Sequence, residues 1–139
     1  MLLLNRDTKK QYLIYNDIDI ALDPFPYNGG TTTCDLLWMG IPMVTMTGVT
    51  EVARLGTSML NLIEHPEWIA TNSEEYIRIA CDIASDLNKL NQTRLELRHQ
   101  VQNSPLMNGE LAIQNLEDAF RHIWKEYVME VKTQIKDDS

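Results

Sequence analysis

Residues 18 to 46 switch between two periodicities, and that switch restricts the possible folds more than any other feature of the chain. IDIALD at 18 to 23 carries Ile18, Ile20 and Leu22 at every second position, the period of a strand. Asp23-Pro24-Phe25-Pro26 ends it, because proline has no N–H for a sheet ladder and holds its predecessor extended. Asn28-Gly29-Gly30 supplies a turn, and Thr31 to Met39 follows helical spacing. Gly40 and Pro42 stop that helix, and MVTM at 43 to 46 reads as the next strand. Strand, glycine-rich turn, helix and strand in that order predict an α/β domain with a parallel sheet.

The alternation continues. A short helix is expected over 8 to 16, carrying Tyr12, Leu13 and Tyr15. Thr50 or Glu51 begins a helix with Val52, Leu55, Met59 and Ile63 on one side, and Glu67 to Ala70 is a short strand. Asn72, with Glu75 three residues later, resembles a capping box, and the helix it opens presents Tyr76, Ala80, Ile83, Ala84 and Leu87 inward. A further helix fills 89 to 102. Beyond Ser104-Pro105, Asn108 can cap a long last helix with Ile113, Leu116, Phe120, Ile123, Trp124, Tyr127 and Val131 in one stripe. Only three strands stand out, fewer than a doubly wound domain normally has, so the sheet is expected to be incomplete.

At 139 residues and 44% hydrophobic content the chain can build one core. Its formal charge of −8 and pI near 4.7 exclude a non-specific nucleic-acid surface or an anionic-membrane surface, since either partner would be repelled over most of the exterior. An anionic ligand must therefore be held by local geometry. Cys34 and Cys81 lack metal-ligand spacing and are expected as buried free thiols in a reducing, cytoplasmic setting. MLLLNRDTKK is too short in its apolar run for a signal peptide, and no run approaches the ~18 apolar residues of a membrane span.

The turn itself has a chemistry. A helix beginning near Thr31 leaves about four backbone N–H groups unpaired and concentrates roughly half a positive charge there. That makes an anion site in a stretch, 23 to 45, that contains no lysine or arginine. Gly29 and Gly30 permit close backbone approach, the hydroxyls of Thr31, Thr32 and Thr33 can cap the helix or donate to phosphate, and Asp35 stands one turn on, where a carboxylate can accept from ribose hydroxyls. Yet GGTTT is neither a Walker nor a GxGxxG motif, and glycine followed by N-cap threonine occurs at many strand-to-helix junctions. The spacing leaves both readings standing.

Other candidates are weaker. Asp17-Ile18-Asp19 has a metal-binding DxD pattern, but it falls at a strand entrance, where chance is the simpler origin. Arg54 could reach a diphosphate from the neighbouring strand end, or be an ordinary solvated arginine. His65, His99 and His122 show no paired acid or metal spacing, and Trp38, Trp68 and Trp124 fall in core patterns.

DIALDPFPYNGGTTTCDLLWMGIPMVTMTG resembles the donor-binding segment of the O-linked N-acetylglucosamine transferases and their bacterial tetratricopeptide-repeat relatives, glycosyltransferase family 41. The resemblance runs on through ARLGTSML, EWIATNSEEYIRIA and SPLMNGELAIQNLEDAFRHIW, covering nearly all of residues 15 to 125. It implies the Rossmann-like carboxy-terminal half of a GT-B glycosyltransferase, with a nucleotide-sugar lobe over 1 to 104 truncated at its amino-terminal side, a closing helix over 105 to 134 and a disordered tail over 135 to 139. UDP-GlcNAc is the implied donor and serine or threonine of a protein the implied acceptor, in an inverting transfer without metal or other cofactor. Gly30, Thr31 and Thr32 match residues on the diphosphate and uridine, and Asp35 matches the ribose acid; Gly29, Thr33 and Arg54 are further candidates. Gly30 departs from the histidine or threonine of many members, Val49 from glutamate and Ala53 from serine. The family's diphosphate lysine, its base histidine and its acceptor-binding repeats come from segments amino-terminal to this region, so no catalytic residue is expected here and the chain is expected to be inactive alone. An asparagine-modifying member of the family and a non-catalytic nucleotide-sugar-binding fragment are the alternatives.

Overall fold

The computed structural model describes residues 12 to 137, with side chains through residue 132. The chain divides into two compact units, Met1–Met107 and Asn108–Ser139. In the first, strands β1 (Ala21–Leu22), β2 (Met43–Met46) and β3 (Ile69–Ala70) form a parallel sheet in that order. Ala21 lies opposite Met43 and Leu22 opposite Val44; Thr45 pairs with Ile69 and Met46 with Ala70. Helices α1 (Thr31–Trp38), α2 (Leu55–Leu62), α3 (Ser73–Ser85) and α4 (Leu87–Asn103) pack around it. The α/β parallel architecture is the one predicted.

Met43, Val44 and Thr45 are consecutive and all fully buried. Since neighbouring residues on a strand point to opposite faces, both faces of the sheet are covered at β2. Leu37 from α1, Leu60 from α2, Ile79 from α3 and Leu97 and Val101 from α4 meet Trp68 and Ala70 in the resulting core. The Gly40-Pro42 stop works as expected: Gly40 has φ +76°, and a Cβ there would stand 2.5 Å from the Arg94 carbonyl oxygen of α4. Only glycine allows both the turn and the contact.

Several local expectations shift. The 8 to 16 helix is, in its described part, largely a 3-10 turn at Ile14–Asp17, while residues 8 to 11 lie outside the described residues. The first strand is shorter than 18 to 23, and its inward side carries Asp23, 3% exposed, while Leu22 is 59% exposed. Helix α2 starts at Leu55 rather than at 50 or 51, because the Val52 carbonyl is drawn to the Asn28 N–H at 3.0 Å and the chain turns there first. Helix α3 buries Ile79, which the expected stripe omits, and ends at Ser85, so Ala84 and Leu87 are solvent-facing. Cys81 is exposed because it falls between Arg78 and Asp82 and off the Tyr76, Ile79, Ala80, Ile83 side.

The second unit is one helix, α5 (Gly109–Asp137), capped as expected by Asn108, whose Oδ1 accepts the Leu111 N–H at 3.0 Å. It continues past 134 through Asp137 because Thr133-Gln134-Ile135-Lys136 contains no helix breaker; residues 138 and 139 lie outside the described residues. Its apolar stripe, Trp124 included at 65%, is exposed, since a single helix has no second element within its own unit to bury it. Among the described residues no helix is long and apolar enough to cross a membrane.

Candidate functional site

The Gly-Thr turn stands at the carboxyl end of β1, the end of a parallel sheet where ligands collect. Helix α1 opens at Gly30 with no side-chain cap and no acid in its first turn. The N–H groups of Thr33 and Cys34 are taken by the Gly30 carbonyl, at 3.0 and 3.2 Å. Those of Gly30, Thr31 and Thr32 have no partner among the described residues. Thr31 and Thr32 are exposed. Three adjacent donors at the positive end of an eight-residue helix, flanked by two reachable hydroxyls, suit an oxyanion without a basic side chain.

Two of the further candidates are turned inward. The Gly29 N–H donates to Asp23 Oδ1 at 2.8 Å, so it cannot also serve a ligand. Thr33 is 1% exposed, and a Cβ on Gly29 would stand 2.5 Å from its Oγ1. Gly29 is therefore a close-packing glycine. Gly30 is the reverse: a Cβ there meets nothing within 4 Å.

Asp35 is half-buried, and its carboxylate has no hydrogen-bond or ion-pair partner among the described residues. Its charge is felt nearby. Tyr15, buried in the 3-10 turn, has its phenol pushed above the ordinary value by burial and then by Asp35. The Cys34 thiol is pushed up in the same way, by burial first and Asp35 second, and its Sγ lies 3.9 Å from Met59 Sδ of α2. A thiol held neutral and packed on a thioether is a spacer between α1 and α2, not a nucleophile. Arg54 is exposed at the start of α2, between Val52 and Gly56, both of which bond to Asn28. Its backbone thus belongs to the frame of the turn.

That frame holds the residues the sequence pattern does not single out. Asp23 Oδ2 accepts the Thr45 hydroxyl of β2 at 2.6 Å, and its carbonyl accepts the Tyr76 hydroxyl of α3 at 2.7 Å. Asn28, 1% exposed, donates from Nδ2 to the Pro24 carbonyl at 3.1 Å and accepts the Gly56 N–H at 3.4 Å. One signal for this was available: Thr45 is a hydroxyl in the middle of a fully buried strand, and such a group needs a partner.

The remaining candidates are occupied elsewhere. Asp19 is paired with Arg94 of α4. The His65 ring stacks on Trp68 at 3.8 Å between centroids, with nitrogens 2.8 Å from Glu67 and Gln100. Arg98 covers Trp38 at 4.8 Å. No group of three or more metal-ligating side chains occurs among the described residues.

The model of glycosyl transferase family 41 matches residues 10 to 116. A probable UDP-N-acetylglucosamine–peptide N-acetylglucosaminyltransferase SPINDLY of Petunia hybrida is 40% identical over 127 residues, which is 91% of this chain and 13% of that protein. The UDP-N-acetylglucosamine–peptide N-acetylglucosaminyltransferase of Caenorhabditis elegans is 34% identical over 109 residues, 78% of this chain and 10% of that one. The structure of an O-GlcNAc transferase mutant from Thermobaculum terrenum superposes with a TM-score of 0.75 at 37% identity, over 84% of this chain and 22% of that one. The chain thus spans roughly an eighth of its plant relative's length. With the match extending across the turn, the sheet and all four helices around it, the chain belongs to glycosyl transferase family 41.

Proposed function

We propose that this chain is the donor-binding lobe of a cytoplasmic GT-B protein O-GlcNAc transferase, taking UDP-GlcNAc at Gly30, Thr31, Thr32 and Asp35. One observation carries the reading: three unpartnered N–H groups open α1 at the carboxyl end of β1, with an unpaired carboxylate one turn further on. The N–H groups and the Thr31 and Thr32 hydroxyls bind the diphosphate, and Asp35 accepts from the ribose. In an inverting transfer the acceptor oxygen bonds to the anomeric carbon as the bond to the diphosphate breaks, so negative charge grows on the leaving phosphate. Fixed N–H dipoles at α1 meet that charge without reorganising, which is why the reaction is proposed to need no metal. The general base and the acceptor-binding surface are assigned to protein outside these residues, and the chain alone binds donor without turning it over.

Titrating the isotope-labelled chain with UDP tests this. The largest amide shifts are expected at Gly30 to Asp35, and a spectrum unmoved there would refute the site. Asp35→Ala should weaken UDP by about tenfold, the scale of a hydrogen bond to a charged group, and inorganic pyrophosphate hardly at all. Equal losses on both would remove the ribose role. GDP in parallel separates what the base adds from what diphosphate and ribose supply.

A further inference from the structure

The Asp23 carboxylate is the one buried charged group among the described residues, and the chemistry proposed above does not use it. A carboxylate is an unexpected neighbour for a phosphate-binding turn, since its charge opposes the ligand's. Its two oxygens, however, are both occupied by donors from different elements: Oδ1 by the Gly29 N–H at 2.8 Å and Oδ2 by the Thr45 hydroxyl at 2.6 Å. The start of α2 packs against it without a gap, because a Cβ on Gly56 would overlap Asp23 Oδ2 and stand 2.5 Å from Thr45 Oγ1. Tyr76 fixes the same residue's carbonyl from α3. Strand β1, strand β2, α2 and α3 therefore converge on Asp23, and its hydrogen bond into the ligand turn is the one from Gly29.

We propose that Asp23 is the positioning residue of the donor site: by holding the Gly29 N–H inward and anchoring to Thr45, it aims the next three N–H groups, of Gly30, Thr31 and Thr32, at the diphosphate. The inference rests on the nucleotide reading above. An N–H turned inward at Gly29 fixes the Asn28–Gly29 peptide plane, and Gly30, with φ −108° and ψ −97° outside the helical and extended regions, joins that plane to a helix whose first bonds run to the Gly30 carbonyl, so the turn is held from both sides. Burial pushes the Asp23 pKa up, while the bonds from Thr45 and Gly29 pull against that shift, so both donors favour the charged form. The carboxylate acts on the ligand solely through the backbone it holds.

Hydrogen exchange and UDP titration of the full chain test this together. In the wild type the Gly29 amide should exchange at least about tenfold more slowly than the unpartnered amides of Gly30, Thr31 and Thr32. UDP should then slow those three. Asp23→Leu stays close to the side-chain shape but has no acceptor for either the Gly29 N–H or the Thr45 hydroxyl, so both bonds are lost. It should release the Gly29 amide, shift the Gly30 to Thr32 amides before any ligand is added, and weaken UDP by on the order of tenfold, with resonances of α4 unchanged. Thr45→Val should do the same more weakly, and Thr45→Ser, which keeps the hydroxyl, should restore binding to within about twofold of wild type. A general packing role would not give that rescue.

UDP affinity unchanged in a folded Asp23→Leu chain overturns the positioning role. So does fast exchange at Gly29 in the wild type, which decides the matter even if Asp23→Leu does not fold. A protected Gly29 with no response to UDP instead overturns the nucleotide reading, and with it the role assigned to Asp23 in that site.

Discussion

The first unit begins its helices in two different ways. Helix α3 is closed by the protein itself: Asn72 Oδ1 takes the Glu75 N–H at 2.9 Å, and Glu75 reaches back to the N–H and hydroxyl of Thr71 at 2.8 and 2.6 Å. Helix α4 is closed by Asp86, which takes the Lys89 N–H at 3.0 Å. Helices α1 and α2 have no side-chain cap and no acid in the first turn, and both follow the carboxyl end of a strand at the same edge of the fold, after β1 and β2. An N-terminal acid or cap contributes up to about 1 kcal/mol, so leaving α1 uncapped forgoes stability that α3 obtains. Stability alone would favour closing all four. The open start of α1 leaves its donors without a partner among the described residues.

The largest test of that contrast lies inside the turn. Gly29 and Gly30 are adjacent, yet one is packed and the other faces open space. Gly29→Ala puts a methyl 2.5 Å from Thr33 Oγ1 and should cost about 1 to 3 kcal/mol by overpacking, with loss of the UDP-induced shifts. Gly30→Ala meets nothing within 4 Å and should stay within about 0.5 kcal/mol of wild type. Urea unfolding of both variants measures the difference. Equal destabilisation would mean that the inner and outer halves of the turn are not distinct.

A smaller effect belongs to the closed helix. Asn72→Ala removes the side chain that takes the Glu75 N–H and should lower stability by about 1 kcal/mol. Because α3 begins with its own acids, Glu74 and Glu75, UDP binding should be unchanged in the same variant. A loss of UDP affinity there as large as that of Asp23→Leu would erase the distinction between a structural cap and a ligand-facing helix start.

How much of this was legible beforehand follows from the range of each interaction. Asn72 and Glu75, Asn108, the MVTM strand and the Gly40-Pro42 stop are local, set within three or four residues, and all appear where the pattern puts them. The phase of β1 was not legible. A period of two predicts alternation but not which set faces inward, and the inward set is Ala21 and Asp23 because Thr45, Gly29 and Tyr76 supply a buried carboxyl and carbonyl with donors from 6 to 53 positions away. The start of α2 was missed for the same reason, since the Val52 carbonyl is claimed by Asn28 across the turn. Glycine and threonine composition identified the turn; which of its N–H groups face outward is decided by Asp23, a residue that reads in sequence only as the end of a strand.

The smallest expected effect is also the one in which the two regions should differ in sign. Asp23 is raised above the ordinary value of 3.8 by burial, whereas Glu75, at the closed start of α3, is lowered below 4.5 by the hydroxyl and N–H of Thr71. From 3.8 up to the raised value, the folded state keeps a proton on Asp23 that the unfolded chain has released. Its contribution to stability is complete below 3.8 and is lost as pH rises through the folded value. Between the lowered value and 4.5 the unfolded chain keeps the proton on Glu75, so that contribution is complete above 4.5 and is lost as pH falls. Urea unfolding at a series of acid pH values, comparing wild type with Asp23→Asn and with Glu75→Gln, cancels the titrations common to each pair. The wild-type advantage over Asp23→Asn should shrink as pH rises, and the advantage over Glu75→Gln should grow and then level off. The Glu75 change should be the slighter, because that carboxylate is solvent-exposed and screened. Slopes of the same sign would mean that Asp23 is held as an ordinary stabilised carboxylate, like the acid at the closed helix, and that burying it carries no penalty for the turn to offset.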